Sequence, residues 1–113
     1  MSINIQHFKS KIERIVLNIS NNNFTEIEKN KENGKISIED LKRVINDYGS
    51  SIIPLPSNAY DIAETYFIER ENKIDVYMPI WTKEEGRSDL TLFVSCFEKN
   101  GTPFVEINDL HVL

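Results

Sequence analysis

The chain has 113 residues, a mass of 13.1 kDa, 40% hydrophobic residues and a formal net charge of -5. This length fits one domain, because independently folding units commonly run to about 100 to 150 residues. Cys96 is the only cysteine, which excludes an intramolecular disulfide and a cysteine-based zinc cluster, and no apolar run approaches the roughly 18 residues that cross a bilayer. We therefore expect one soluble, cytoplasmic domain over residues 1–113.

The negative charge lies in the second half of the chain. Residues 1–50 carry eight Lys and Arg against seven Asp and Glu, a net charge of +1, whereas residues 51–113 carry five against eleven, a net charge of -6. The cations of the second half are scattered, which argues against nucleic acid as a partner because phosphate-binding surfaces need clustered Lys and Arg. An acidic field instead attracts and orients a basic protein, although such charge also serves ordinary solubility.

The first residues show the periodicity of amphipathic helices. The first apolar stripe consists of Phe8, Ile12, Ile15, Val16 and Ile19. These spacings place the stripe on one helical face. The asparagine run at 21–23 interrupts the helix, because short polar side chains compete with the helical backbone. A short helical turn is then predicted over residues 24–29, and Gly34 ends that element.

A third helix carries the strongest local signal. Ser37 begins a capping box in which Asp40 replaces the more usual Glu or Gln. The predicted buried face consists of Leu41, Val44, Ile45 and Tyr48. Gly49 follows at the position of a left-handed helix cap.

The remainder of the chain is predicted to be extended. Pro54 and Pro56 exclude a central strand from residues 52–57, because proline donates no backbone hydrogen bond. The period then changes to two, and strands are predicted over residues 62–69, 74–80, 90–97 and 104–107, the last with a register that extends to Leu113. The polar turn 70–73 and the Asn100-Gly101 pair mark hairpins.

These elements predict an α+β domain in which the N-terminal helices pack on one face of an antiparallel four-stranded meander. The helical half covers residues 1–50 and the sheet half residues 51–113. The side chains expected to point inward are Ile74, Val76, Met78, Ile80, Leu90, Leu92, Val94 and Cys96.

The residues that could carry catalysis do not form a catalytic pattern. Cys96 could act as a nucleophile with His7 or His111 as base, but its alternation with Leu92 and Val94 favours a core position. The two histidines lack the spacing of metal ligands, and the four glycines are too far apart for a phosphate-binding loop. We therefore predict no enzyme activity, no cofactor and no metal.

The most unusual stretch is the polar segment 81–89, which begins at the only tryptophan. It is predicted to form a long connection between two apolar strands, a common place for recognition groups. Residues 82–85 also match a capping box, which predicts a single helical turn. Arg87 paired with Asp89 either fixes the loop or contacts a partner, and Trp81 is either a core residue or an exposed anchor.

Two motifs carry a resemblance to a known family. Residues 81–92 and 107–113 resemble a small bacterial family of uncharacterised single-domain proteins that show W-T-x-E-E-G-R-S-D-L-T-L and I-x-D-L-H-V-L. The resemblance covers roughly residues 36–113 and implies no established reaction. By type, the chain is also similar to immunity proteins of contact-dependent growth inhibition. Those proteins are small, often acidic and noncatalytic, and they bind a toxin domain that is frequently a basic nuclease.

The second resemblance implies an immunity-type inhibitor that blocks a cognate toxin through steric and electrostatic occlusion. The predicted contact residues are Trp81, Glu84, Glu85, Asp89 and Asp109. The free protein is expected to be a monomer that binds neither nucleic acid nor membrane.

Two alternatives remain open from the sequence. The first is a small-molecule-binding or enzymatic domain with a pocket between helices and sheet that uses Arg87, Asp89 and His111. The second is a subunit of a larger assembly, for which exposed Tyr66, Tyr77 and Phe93 on the outer sheet face would be the sign.

Overall fold

The computed structural model describes residues 4–112, which form helices followed by an antiparallel sheet. The α-helices are α1 (Lys9–Ser20), α2 (Phe24–Lys29), α3 (Ile38–Tyr48) and α4 (Ala59–Ile62), and short 3-10 helices cover Ile5–His7 and Glu69–Glu71. The strands are β1 (Ile52–Ile53), β2 (Glu64–Ile68), β3 (Lys73–Thr82), β4 (Gly86–Lys99) and β5 (Thr102–Val112). The predicted α+β class is confirmed. Across the described range, no helix combines the length and apolar character that a membrane span requires.

The caps predicted for α3 at Ser37 and Gly49 are confirmed, but the Asp40 carboxylate bonds to Arg43 at 2.6 Å and does not complete the capping box. The Ser37 hydroxyl accepts a hydrogen bond of 3.1 Å from the Asp40 N–H, which satisfies one of the unpaired donors of the first turn. Gly49 ends the helix at φ 83°, in the left-handed region that favours glycine. Leu41 is fully buried, while Val44, Ile45 and Tyr48 are partly buried against the core.

The sheet has five strands rather than the predicted four. The strand order is β1-β3-β4-β5. Strand β2 also pairs with β3, along residues 73–77, on the same edge where β1 pairs with Trp81 and Thr82. All the pairings are antiparallel. The added strand β1 has two residues and lies at an edge, as the prolines that follow it require.

The start of β2 was predicted too early. Ile62 belongs to the short helix α4, and the strand begins at Glu64. Ala59 of α4 is fully buried, and the Tyr60 hydroxyl donates a hydrogen bond of 2.9 Å to the carbonyl of Lys9 in α1. These tertiary contacts fix a helical turn where the local apolar pattern favoured a strand. At the other end of the sheet β5 reaches Val112, and Leu113 lies outside the described residues.

The core fills the space between the helices and one face of the sheet. All eight inward-pointing residues predicted on β3 and β4 are buried there, at 6% exposure or less. Phe8, Ile12 and Ile15 from the helical half pack into the same cluster. The core position predicted for Cys96 is confirmed, and burial, with Asp75 nearby, raises the pKa of its thiol to about 12.

The prediction of a long polar loop at 81–89 was wrong. Strand β3 continues to Thr82 and β4 starts at Gly86, which leaves a connection of three residues, 83–85. The Thr82 hydroxyl accepts a 3.1 Å hydrogen bond from the Glu85 N–H, as in a capping box, but the segment forms a turn and no helix. The β3–β4 pairing has a register shift between Pro79 and Trp81. After this shift the pairing continues, with Trp81 opposite Arg87 and Thr82 opposite Gly86.

Candidate functional site

The face of the sheet opposite the helices carries a row of side chains that do not enter the core. Residues directly opposite each other in neighbouring strands share a face. One row consists of Tyr66, Asp75, Ser95 and Glu106, and the next of Glu64, Tyr77, Phe93 and Asp109. Asp89 lies on the same side, because it alternates with Phe93 along β4 and lines a depression together with Glu64 and Tyr77. We call this surface the outer face.

Three aromatic rings cross the outer face from β2 to β4. The rings of Tyr66 and Tyr77 meet at 83° with centroids 5.8 Å apart, and Tyr77 stacks on Phe93 at 4.4 Å and 7°. The side chain of Tyr66 is 48% exposed, whereas Tyr77 and Phe93 are half-buried. The contacts between the rings hold an apolar strip in place without a helix over it.

Carboxylates surround this strip. Five of them lie on the outer face, on Glu64, Asp75, Asp89, Glu106 and Asp109. Two cations lie at the ends of this face: Lys73 is 3.6 Å from carboxylate oxygens of both Glu71 and Asp75, and the Lys99 ammonium stands 4.9 Å from the centre of the Phe104 ring. A third cation, Arg87, lines the depression that contains Glu64, Tyr77 and Asp89. Carboxylates therefore outnumber cations around the aromatic strip.

A chain of polar contacts fixes one of these carboxylates. The Asn108 amide donates a 2.6 Å hydrogen bond to the Ser95 hydroxyl, which in turn donates a 2.8 Å bond to Asp75 Oδ1. Asn108 takes this position because β5 has an extra residue between the pairs Phe93–Asp109 and Val94–Ile107. Ser95 is only 4% exposed, so this part of the face is rigid.

The structure places Glu84 and Glu85 at the end of the β3–β4 hairpin. Glu84 accepts hydrogen bonds from the Ser51 N–H at 2.8 Å and from the Ser51 hydroxyl at 3.1 Å, and bonding to the Ser51 backbone lowers the pKa of Glu84. Glu85 accepts from the Tyr48 hydroxyl at 2.9 Å and from the Ser50 hydroxyl at 3.1 Å. Both carboxylates therefore connect the hairpin to the segment that follows α3.

The other predicted contact residues divide between the core and the outer face. Trp81 is partly buried and packs against the core cluster. Asp89 is exposed on the outer face, and its N–H donates a 3.2 Å hydrogen bond to the Tyr48 hydroxyl. Asp109 Oδ1 accepts a 2.9 Å hydrogen bond from the Leu110 N–H, and Oδ2 lies 3.1 Å from His111 Nδ1. The structure thus brings Asp89 and Asp109 to one surface, while Trp81 packs against the core. Glu85 lies near Asp89, since the Tyr48 hydroxyl donates to the Glu85 carboxylate and accepts from the Asp89 N–H.

The residues of the alternative pocket also lie outside the core. Arg87 and Asp89 line a shallow depression of the outer face with Glu64 and Tyr77, and His111 contacts Asp109 instead. Within residues 4–112, Arg87 and Asp89 form no ion pair, and no three His, Cys, Asp or Glu side chains are grouped as a metal site would need. The space between helices and sheet is occupied by fully buried apolar side chains.

Sequence reasoning missed Glu64 and Asp75 as members of the site. Both alternate with residues of the aromatic strip, Glu64 with Tyr66 along β2 and Asp75 with Tyr77 along β3. The period of two that identified the aromatic residues was therefore also the signal for these two carboxylates.

Residues 16–113 match a protein-family model described as "Domain of unknown function (DUF7668)". No curated protein matches the chain, and no solved structure does.

Proposed function

The chain belongs to the DUF7668 family, whose description assigns no activity, and we propose from its own surface that it is an immunity-type protein. It binds a cognate bacterial toxin domain in the cytoplasm, a basic nuclease, and blocks it by steric and electrostatic occlusion. The outer face is the binding surface, and no bond is made or broken.

The observation that carries this proposal is the exposed aromatic strip within a rim of carboxylates. Protein interfaces typically combine aromatic anchors at the centre with charged residues around them. The strip Tyr66–Tyr77–Phe93 supplies the anchors, and Glu64, Asp89 and Asp109 supply charge at its margins. The core lies on the opposite side of the sheet, so no helix covers this surface.

The inhibitory mechanism follows from charge complementarity. A nuclease binds its substrate through a cationic groove, since phosphate contacts require Lys and Arg. An acidic rigid surface competes for the same cations, and its field accelerates encounter with the groove. The sheet occupies the groove as a solid body, so that nucleic acid has no access while the complex persists.

The experiment first inspects the reading frame directly upstream of this chain, where we expect a toxin domain, and then measures binding to that domain. We expect nanomolar affinity and an association rate that falls as salt rises, because surface charges are screened within about 10 Å at 0.1 M salt. Replacing Glu64, Asp89 and Asp109 together by Lys should weaken binding by about a hundredfold, mainly through the loss of charge pairs at the interface.

The matched control reverses three exposed carboxylates of the helical half, Glu13, Glu28 and Asp47. This control changes the net charge by the same amount but leaves the outer face intact, and it should bind with near wild-type affinity. Equal losses in the two triple variants, or an association rate independent of salt, would contradict the proposal.

A further inference from the structure

The aromatic strip ends at the sheet edge in a shallow depression that we call the β2 notch. It is lined by Glu64, Tyr66, Ile68, Asp75 and Tyr77. Two rings set at 83° to each other form its apolar part, and two carboxylates stand beside them. The Tyr66 hydroxyl donates a hydrogen bond of 2.5 Å to Glu64 Oε2, which holds that carboxylate against the ring.

Three aromatic rings elsewhere in the molecule have a cation of the same chain over them. Lys9 stands 4.7 Å from the centre of the Tyr60 ring, Lys42 stands 5.4 Å from that of Phe24, and Lys99 stands 4.9 Å from that of Phe104. Within residues 4–112 no Lys or Arg takes such a position over Tyr66 or Tyr77. The β2 notch thus combines an exposed ring with negative charge and has no cation of its own over the ring.

We propose that the β2 notch receives an arginine side chain of the protein partner. This inference rests on the proposed function, which it deepens by naming the group that is recognised. A guanidinium is flat and weakly hydrated, so it can stack on the Tyr66 ring while its in-plane N–H groups reach Glu64 on one side and Asp75 on the other. A lysine ammonium is compact and strongly hydrated, and it lacks the planar fork that two carboxylates require.

Asp75 is prepared for this role by its neighbours. Its Oδ1 is held by the Ser95 hydroxyl at 2.8 Å and by Lys73 at 3.6 Å. Within residues 4–112, no side chain or backbone group donates a hydrogen bond to Oδ2. One oxygen therefore fixes the orientation of the carboxylate, and the other remains for an incoming donor.

The test titrates the intact protein with three blocked amino acids, N-acetyl-arginine methylamide and its lysine and citrulline counterparts, and follows the tyrosine ring signals by NMR. We expect saturable shifts of Tyr66 and Tyr77 with arginine, weaker ones with lysine and none with citrulline, which has the shape of arginine without its charge. Equal responses to arginine and lysine, or shifts spread over carboxylates far from β2, would overturn the assignment.

Three substitutions on β2 test whether arginine binding depends on the aromatic ring of Tyr66. Tyr66→Thr removes the ring and should weaken arginine binding about two- to fivefold, the range of exposed cation–π contacts. Tyr66→Phe keeps the ring and should retain most of the binding. Phe67→Thr is the matched control, since Phe67 is 53% exposed on the other side of the same strand, and it should change nothing. Similar losses in Tyr66→Phe and Tyr66→Thr would contradict a role for the ring.

The two proposals fail in different ways. Saturable arginine binding at the β2 notch without a toxin partner would support the inference and count against the immunity function. Tight toxin binding that Tyr66→Thr leaves unchanged, together with a silent titration, would support the function and overturn the inference.

Discussion

Glu32 is a buried carboxylate whose side chain lacks a complete set of partners. It is 6% exposed, and within residues 4–112 its Oε1 has no hydrogen-bond donor. Burial raises the pKa of Glu32, and the nearby cations Lys11 and Arg14 only partly offset this effect. Its backbone carbonyl accepts a 2.6 Å hydrogen bond from the Ile107 N–H, so the residue is fixed at the edge of β5.

This environment predicts that Glu32→Gln stabilises the protein at neutral pH. Because the folded-state pKa is raised, the stability contribution of Glu32 is fully present below its unfolded pKa and is lost as pH rises through the folded value. We expect a gain of about 1 kcal/mol in the free energy of unfolding at pH 7, since the amide avoids the cost of burying a charge. Urea unfolding measured between pH 4 and pH 7 should show the gain shrinking toward acid. A gain that grows toward acid would contradict this account.

Gly34 approaches the backbone of β5 too closely for any side chain. Its φ is 55°, and a Cβ at this position would lie 2.7 Å from the Ile107 carbonyl oxygen and 2.7 Å from the Glu106 side chain. Gly101 has a similar φ of 78° but nothing within 4 Å of a Cβ. Substitutions at these two glycines therefore separate the energetic cost of a positive φ from the cost of steric contact.

We predict that Gly34→Ala destabilises the protein more than Gly101→Ala. The conformational cost of a left-handed alanine is about 1 to 2 kcal/mol at either position, and the contact with Ile107 should add a similar amount at Gly34 only. Thermal unfolding of the two variants measures the difference. Equal losses would mean that the segment around Gly34 moves away from β5 at little cost.

At the level of elements, the β3–β4 hairpin is attached to α3 through its turn. Tyr48, the last residue of α3, donates to Glu85 and accepts from the Asp89 N–H, while Glu84 binds the backbone of Ser51. This attachment fixes the end of the hairpin next to Asp89 on the outer face.

Replacing Glu84 and Glu85 together by Gln should loosen this connection. We expect several-fold faster hydrogen exchange at the Ser51 amide, because its charge-assisted acceptor is lost, and little change in the exchange of the central β3–β4 ladder. The control is Glu28→Gln, an exposed change on α2. Unchanged exchange at Ser51 would show that the hydrogen bonds to Glu84 do not hold the segment.

The sequence was sufficient for the elements whose signals are local. The cap at Ser37, the left-handed Gly49 and the apolar periods of β3 and β4 predicted their elements, because each depends on residues close in sequence. The hairpin 81–89 was misread because its polar residues belong to strands whose outer side has no cover, and polarity alone does not distinguish such a strand from a loop.

The candidate site was less predictable than the fold. Alternation placed Tyr66, Tyr77 and Phe93 on one surface, but the contacts of Glu84 with Ser51 and of Glu85 with Tyr48 join residues more than 30 positions apart in sequence. The β5 bulge, which sets the register of Asn108 and Asp109 against β4, has no sequence signal that an alternating pattern reveals.

At the scale of the whole molecule, the acidic outer face opposes self-association. Two copies that met through this face would bring their carboxylates together, and like charges in contact are unfavourable. We therefore predict a monomer of 13.1 kDa in sedimentation equilibrium at both low and moderate salt. A dimer that Tyr66→Thr dissociates would contradict this prediction and would favour the assembly role that exposed aromatic residues also permit.

The separation of the two sides of the sheet has a consequence for how such a domain can change over generations. Side chains on the buried side, such as Val76 and Val94, decide whether the chain folds, whereas Tyr77 and Phe93 point away from that interior. Mutations can therefore accumulate on the exposed strands with little loss of structural integrity. Under the proposed function, this arrangement would let the domain match a changing toxin by altering one surface while the rest of the protein stays the same.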